Sequence, residues 1–154
     1  MNSKILAAPV VLATAAGLAL ATAAPAPARP GVADFGATQH LHDGGVTIAY
    51  TLEELEPSDD VVSNVALQGR LWEVSVTVEA VEGAATPVIP FFNARSADGQ
   101  NYRALFTAVG EEALSGATLG QGQETEGNIY FDVTGAPPTE VVYNDAVQDR
   151  LIWR

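Results

Sequence analysis

Residues 71–83 of the chain read LWEVSVTVEAVEG, and their pattern indicates the fold class. Apolar and polar residues alternate along it, with Trp72, Val74, Val76, Val78 and Ala80 set against Glu73, Ser75, Thr77 and Glu79. A period of two is typical of a β-strand with one face in a core and the other in water. We therefore expect Trp72 at the centre of the core and Glu73 in solvent, where Glu73→Ala changes stability by about 0.5 kcal/mol or less.

The same period recurs on both sides of this stretch, in residues 46–52 and 129–133. Phe131 is predicted to face the same core from a second sheet. Turn residues such as Asp43-Gly44 and Asp98-Gly99 separate the runs. The sequence predicts an all-β, immunoglobulin-like antiparallel sandwich of about seven to eight strands over residues 35–154. The chain has no cysteine, so the sandwich has no disulfide. The candidate strands are 37–42, 45–53, 69–82, 87–96, 101–109, 123–133, 139–144 and 150–153.

The first residues have the features of a secretory signal peptide. Lys4 is followed by an Ala-, Leu- and Val-rich run, and Ala21-Thr22-Ala23 fits the small-x-small cleavage rule. We predict a signal peptide over residues 1–23, with cleavage after Ala28 as a second possibility and an uncleaved anchor as the alternative. Residues 24–34 are rich in Pro and Ala and are predicted to be a mobile leader. The protein is then secreted, without stable membrane insertion after cleavage.

The charge of the chain limits its partners. The seven basic residues are Lys4 and six arginines, against 19 acids, and the formal net charge is −12. Loss of Lys4 with the signal takes this to −13. Nucleic acids and anionic lipid surfaces bind basic patches, so the composition argues against both.

The stretch FNARSADGQNYRAL, residues 92–105, packs two arginines, three amide side chains, a serine and an aspartate close together. Asp98-Gly99 is a pair typical of hairpin turns, with Gly99 supplying a positive φ. We therefore expect SADGQN to be a turn between two strands, with Arg95 and Arg103 paired to carboxylates across the sheet. The cluster lacks a nucleophile–base pair, so a structural role is favoured over catalysis.

The sequence predicts no catalytic residue, no cofactor and no enzyme activity. The histidines, His40 and His42, are two residues apart and share one face of a predicted edge strand. With Asp43 they form the candidate site for Zn²⁺ or Cu²⁺, against the alternative of two solvent-exposed polar residues. The acidic run EELEPSDD, residues 53–60, is a second candidate for weak cation binding, although a solvated loop is favoured.

Four segments carry a family resemblance: LWEVSVTVEAVEG, FNARSADGQNYRAL, SGATLGQGQETEGNIYFDVTG and the terminal RLIW. Together they resemble the small secreted immunogenic (immunoprotective extracellular) proteins of mycobacteria and related actinobacteria. The element GQGQETEGNIYFDV is also similar to telokin-like exported domains. The resemblance implies an immunoglobulin-like β-sandwich, export, and recognition as an antigen. It implies no enzyme activity and supplies no catalytic residues.

These observations lead to two main hypotheses about function. The first is an exported, non-enzymatic binding module whose partner is an unknown protein or cell-envelope component. The second is an exported protein that binds divalent metal through His40 and His42 or through its acidic loops. A hydrolase is a third hypothesis, without a residue pair to support it.

Overall fold

The computed structural model describes residues 29–154, which form nine strands and one short 3-10 turn. The 3-10 turn covers Ile89–Phe91. The strands are β1 (Gly31–Ala33), β2 (Thr38–Asp43), β3 (Val46–Pro57), β4 (Arg70–Glu82), β5 (Phe92–Ser96), β6 (Asn101–Arg103), β7 (Glu124–Val133), β8 (Pro138–Asn144) and β9 (Asp149–Trp153).

The strands build two sheets that pack face to face. The five-stranded sheet has the order β1-β9-β8-β5-β6, and the four-stranded sheet has the order β2-β3-β4-β7. Their inner faces bury one continuous apolar cluster. The fold is therefore the all-β, immunoglobulin-like sandwich that the sequence predicts. Among residues 29–154, no helix is long and apolar enough to cross a membrane.

Strand β1 was not among the predicted strands. It pairs in parallel with β9, with Gly31 opposite Leu151 and Ala33 opposite Trp153. Residues 31–33 thus belong to the sandwich, although their Pro-rich surroundings placed them in the leader. The parallel pairing also makes the five-stranded sheet mixed, where a purely antiparallel sheet was expected. The signal peptide and most of the leader lie outside the described residues.

Strand β3 runs further than the sequence suggested, through the first five residues of the acidic run. Its register with β4 shifts between Leu52 and Leu55, so that Glu53 and Glu54 lie opposite the single residue Ser75. Two residues against one is the arrangement of a β-bulge. The bulge turns both glutamates to the surface, and the run is mainly strand instead of a loop.

The prediction for Trp72 is wrong, and the central tryptophan is Trp153. Val74, Val76, Val78 and Ala80 are completely buried as predicted, whereas Trp72 is half-buried and only packs against the edge of the core. Trp72 lies opposite Pro57 and Phe131, at the end of the four-stranded sheet. Trp153 enters the centre of the core from β9 and is fully buried.

Phe131 is fully buried, as predicted, but it belongs to the same sheet as Trp72, because β7 pairs directly with β4. Glu73 points outward, but its side chain is partly buried and hydrogen-bonded. Its carboxylate accepts a hydrogen bond of 2.5 Å from the hydroxyl of Ser58, which is buried. Loss of this acceptor would leave the Ser58 O–H without a group to donate to, so we expect Glu73→Ala to cost more than the sequence suggests.

The predicted strand at residues 101–109 is much shorter, because the chain leaves the sheet after Arg103. It then runs along β7, where the Leu105 N–H donates to the Tyr130 carbonyl at 2.8 Å and the Leu114 N–H donates to that of Asn128 at 2.9 Å. This connection covers the outer edge of the four-stranded sheet. A covered edge is protected from pairing with another chain.

Candidate functional site

The segment SADGQN is a hairpin turn, as predicted. Strands β5 and β6 pair in antiparallel fashion on either side of it. Gly99 has a φ of 88°, and its N–H donates to the Ser96 carbonyl at 3.0 Å. The Ser96 hydroxyl donates to the Asp98 carboxylate, and this bond, with that from the Gln100 N–H, lowers the pKa of Asp98. The turn residues bond to one another, so their role is structural.

The strands that flank the turn carry a polar surface. Because side chains alternate along a strand, Asn93 and Arg95 of β5 face outward together, and so do Asn101 and Arg103 of β6. Asn93 lies opposite Arg103, and Arg95 lies opposite Asn101. The four side chains therefore form a two-by-two arrangement, which we call the Asn–Arg face.

Three of its four side chains are held by hydrogen bonds. The Asn101 side-chain amide donates to the Asn93 Oδ1 at 2.9 Å, and the Asn93 amide donates to the Phe91 carbonyl at 3.0 Å. The Arg95 guanidinium pairs with Asp149 at 3.1 Å and with Glu140 at 3.5 Å. Burial alone would raise the pKa of Asp149, but the bonds from Arg95 and Asn144 lower it overall.

Arg103 differs from Arg95. Its side chain is exposed, and no carboxylate of residues 29–154 forms an ion pair with its guanidinium. The predicted pairing across the sheet is thus found for Arg95 and is absent for Arg103. Arg103, with Asn93, Arg95 and Asn101, lines a depression of about 350 Å³ that also includes Phe91. Ligand pockets typically have volumes of about 300–1,000 Å³.

His40 and His42 lie on the outward face of β2, as the sequence predicted, and both are exposed. Their rings are stacked, with centroids 6.4 Å apart and planes inclined by 14°. The Nδ1 atom of His42 is 3.0 Å from the Thr47 hydroxyl. Asp43 follows at the end of the strand, and strand alternation turns it to the opposite face from His42. Across residues 29–154, no three His, Cys, Asp or Glu side chains are grouped closely enough to hold a metal ion. The metal site stays a prediction.

The end of the acidic run is held by the fold. The Asp60 N–H donates to the Ser58 hydroxyl at 3.1 Å, and the Tyr130 hydroxyl donates to the Asp60 carboxylate at 2.5 Å. Burial raises the pKa of Tyr130, and Asp60 adds to the rise, so the phenol stays a hydrogen-bond donor. Partial burial also raises the pKa of Glu73, with a further contribution from Asp60. These contacts anchor the connection between β3 and β4.

A second depression was not foreseen from the sequence. It is a groove of about 330 Å³ beside β2, and both histidines line it together with Arg29 and Arg150. Arg29 and Arg150 lie at opposite ends of the described chain, and only the approach of β1 and β9 to β2 brings them to the histidines. Sequence spacing carries no signal for such a grouping.

The fold and these surfaces define a small, cysteine-free, immunoglobulin-like β-sandwich protein. A family model described as a domain of unknown function, DUF1942, matches residues 30–153, and the chain belongs to this family. The chain is 39% identical to immunogenic protein MPB63 of Mycobacterium bovis and to immunogenic protein MPT63 of Mycobacterium tuberculosis. In both cases the alignment of 155 residues covers 99% of this chain and 98% of the relative.

The crystal structure of MPT63, a secreted protein from Mycobacterium tuberculosis, has the same fold. It superposes with a TM-score of 0.79 at 41% identity, and the match covers 82% of this chain and 98% of that chain. The family resemblance seen in the sequence is thereby confirmed, and the protein is a secreted member of the family. The relatives are named as immunogenic proteins and not as enzymes.

Proposed function

We propose that this protein is a non-enzymatic, secreted binding protein that uses the Asn–Arg face to hold a carboxylate-bearing component of the cell envelope. The observation that carries the proposal is the guanidinium of Arg103, which has no ion pair among residues 29–154, beside a depression lined by fixed amide side chains. A guanidinium can donate two parallel hydrogen bonds to one carboxylate. The chain carries 19 acids and six arginines, and Arg103 has no carboxylate partner among residues 29–154, so its guanidinium is available for an external anion.

The hydrogen bonds within the Asn–Arg face favour binding in a second way. Asn93 and Asn101 are tied to each other and to the backbone, so their side chains lose little conformational freedom when a ligand arrives. Fixing a flexible polar side chain on binding costs about 0.5–1.5 kcal/mol. A surface that is already ordered avoids most of this cost. Phe91 adds an apolar wall that suits the less polar face of a sugar ring.

The test is a titration of the ¹⁵N-labelled protein with sodium glucuronate, with glucose as the uncharged comparison. We expect glucuronate to shift the amide signals of Asn93, Asn101 and Arg103, and Arg103→Gln to weaken binding about tenfold, the effect of losing one charge-assisted contact. The matched control is Arg70→Gln, because Arg70 is also exposed and has no ion pair among residues 29–154. Equal shifts with glucose, or equal weakening by both variants, would contradict a carboxylate site at Arg103.

Binding of a divalent metal through His40 and His42 is a second candidate function. The parallel rings of the two histidines on one strand face favour it, because two imidazoles are a common pair of ligands for Zn²⁺. A ligand that binds the native state raises its melting temperature. A melting temperature that Zn²⁺ raises in the wild type but not in His40→Gln would support metal binding. A melting temperature that Zn²⁺ leaves unchanged would argue against it. The same measurement with Ca²⁺ tests the acidic run.

A further inference from the structure

The groove beside β2, which we call the β1–β2 groove, lies where the edges of the two sheets meet. Its lining includes Leu41 of β2 and Leu151 of β9, which are 8% and 5% exposed and which we call the apolar floor. Gln39 also lines the groove and joins the two sheets, because its side-chain amide donates to the Ile152 carbonyl at 2.9 Å. The groove is thus a defined feature of the sandwich with an apolar floor.

Like the depression at the Asn–Arg face, the β1–β2 groove is lined by basic side chains and by no carboxylate, and here two imidazoles accompany the two arginines. Arg29, Arg150, His40 and His42 all line it. Two other depressions of the described chain show the opposite character. One of about 470 Å³ has Glu53 and Glu54 as its only charged lining residues, and one of about 540 Å³ is lined by Asp59, Asp60, Glu111 and Glu112.

One of these basic groups is held in place. The Arg150 guanidinium donates to the Asp145 carboxylate at 2.8 Å and to the His42 carbonyl at 3.2 Å. The bond to His42 links β9 to β2, so the position of the Arg150 guanidinium is set by the tertiary structure. Arg29 and His40, by contrast, are exposed, and their side chains form no hydrogen bond or ion pair to any of residues 29–154. They retain donors for a ligand.

We propose that the β1–β2 groove binds a small organic acid, with its carboxylate against Arg29 and His40 and its aliphatic part on Leu41 and Leu151. Charge-assisted hydrogen bonds to a carboxylate supply the orientation, and the apolar floor supplies burial. The volume of about 330 Å³ suits a ligand of a few carbon atoms. This site is separate from the Asn–Arg face, and neither proposal depends on the other.

The groove is a poorer match for a metal ion than for an anion. Zn²⁺ sites in proteins use three or four protein ligands, and the lining residues supply two imidazoles and no carboxylate. Arg29, which has no ion-pair partner among residues 29–154, would also repel a cation. The same groups are donors to an anion: each arginine carries a permanent positive charge, and each imidazole offers an N–H.

The experiment is a titration of the ¹⁵N-labelled full domain with sodium hexanoate, with 1-hexanol as a probe that has the same tail without the charge. We expect hexanoate to shift the amide signals of Gly31, His40, Leu41 and Leu151 while those of Asn101 and Arg103 stay in place. Arg29→Gln should weaken hexanoate binding about fivefold or more, and Arg70→Gln should leave it unchanged. Arg29 has no described partner to lose, so this variant is expected to fold normally.

Three results would overturn the proposal. The first is the absence of shifts at millimolar hexanoate, and the second is an equal response to 1-hexanol, which would make the groove an apolar site without anion selectivity. The third is binding of Zn²⁺ that His40→Gln abolishes in a protein that ignores hexanoate. That result would assign the two histidines to the metal hypothesis.

Discussion

The indole N–H of Trp153 donates a hydrogen bond of 2.9 Å to the carbonyl of Ala37. Trp153 is the last residue of β9 in the five-stranded sheet, and Ala37 immediately precedes β2 in the four-stranded sheet. A single buried side chain therefore fills the centre of the core and joins the two sheets at the same time.

The first prediction concerns the two tryptophans. Trp153→Ala removes a fully buried aromatic side chain and should cost about 3–5 kcal/mol, a large part of the roughly 5–15 kcal/mol that stabilises a domain. Trp72→Ala should cost about 1–2 kcal/mol, because Trp72 is only half-buried at the end of its sheet. Urea denaturation followed by far-UV circular dichroism compares them without relying on tryptophan fluorescence.

Trp153→Phe separates packing from hydrogen bonding. It keeps most of the apolar volume but leaves the Ala37 carbonyl without its donor, for which we expect a loss of about 1–3 kcal/mol. If Trp72→Ala proved more damaging than Trp153→Ala, the arrangement of the core described above would be wrong.

The second prediction concerns the hairpin between β5 and β6. Gly99→Val should destabilise the protein by about 1–3 kcal/mol, because a β-branched residue is strained at a φ of 88°. A Cβ at Gly99 would meet no atom within 4 Å, so crowding does not contribute. Gly45→Val is the matched control, since Gly45 is equally open and does not have a positive φ. Thermal melts of the two variants measure the difference, and similar melting temperatures would argue against backbone strain.

The third prediction concerns Glu73 and pH. The pKa of Glu73 is raised, chiefly by burial, so the folded state favours the protonated form. Its contribution to stability is then complete below the unfolded pKa of about 4.3 and is lost as the pH rises through the folded pKa. Glu73→Gln resembles the protonated form and still accepts from Ser58. The variant should therefore be more stable than the wild type at pH 7, with a difference that shrinks below about pH 4.

Denaturant melts at several pH values test this expectation. Glu126→Gln is a suitable comparison, because Glu126 is also on the outer face of the four-stranded sheet and has no Ser58-like donor among the described residues. A Glu73→Gln variant that is less stable than the wild type at neutral pH would show that the carboxylate charge stabilises the fold.

The fourth prediction concerns export. The sequence around Ala21-Thr22-Ala23 predicts a mature protein that begins at Ala24. Amino-terminal sequencing of the secreted protein measures this directly. A start at Arg29 would select the alternative cleavage after Ala28, and an intact Met1 in a membrane fraction would select the anchor.

Features that depend on neighbouring residues can be predicted from the sequence. The alternation at residues 74–80 identifies a strand and its buried face, because successive side chains of a strand point in opposite directions. Asp98-Gly99 identifies a turn, because few residues other than glycine adopt a positive φ without strain. The pairing of His40 with His42 on one strand face followed from the same alternation.

The depth of a side chain in the core, and the distant groups that surround it, depend on how the two sheets pack. Trp72 and Trp153 both face inward, but the centre of the core is defined by the position of whole sheets, which local alternation does not encode. Arg95 lies on β5, inside the five-stranded sheet, and pairs with Asp149, which is 54 residues away in the chain. Arg103 lies on the edge strand β6 and has no carboxylate partner among the described residues. The β1–β2 groove arises in the same way, from strands at opposite ends of the domain that meet only when the sandwich closes.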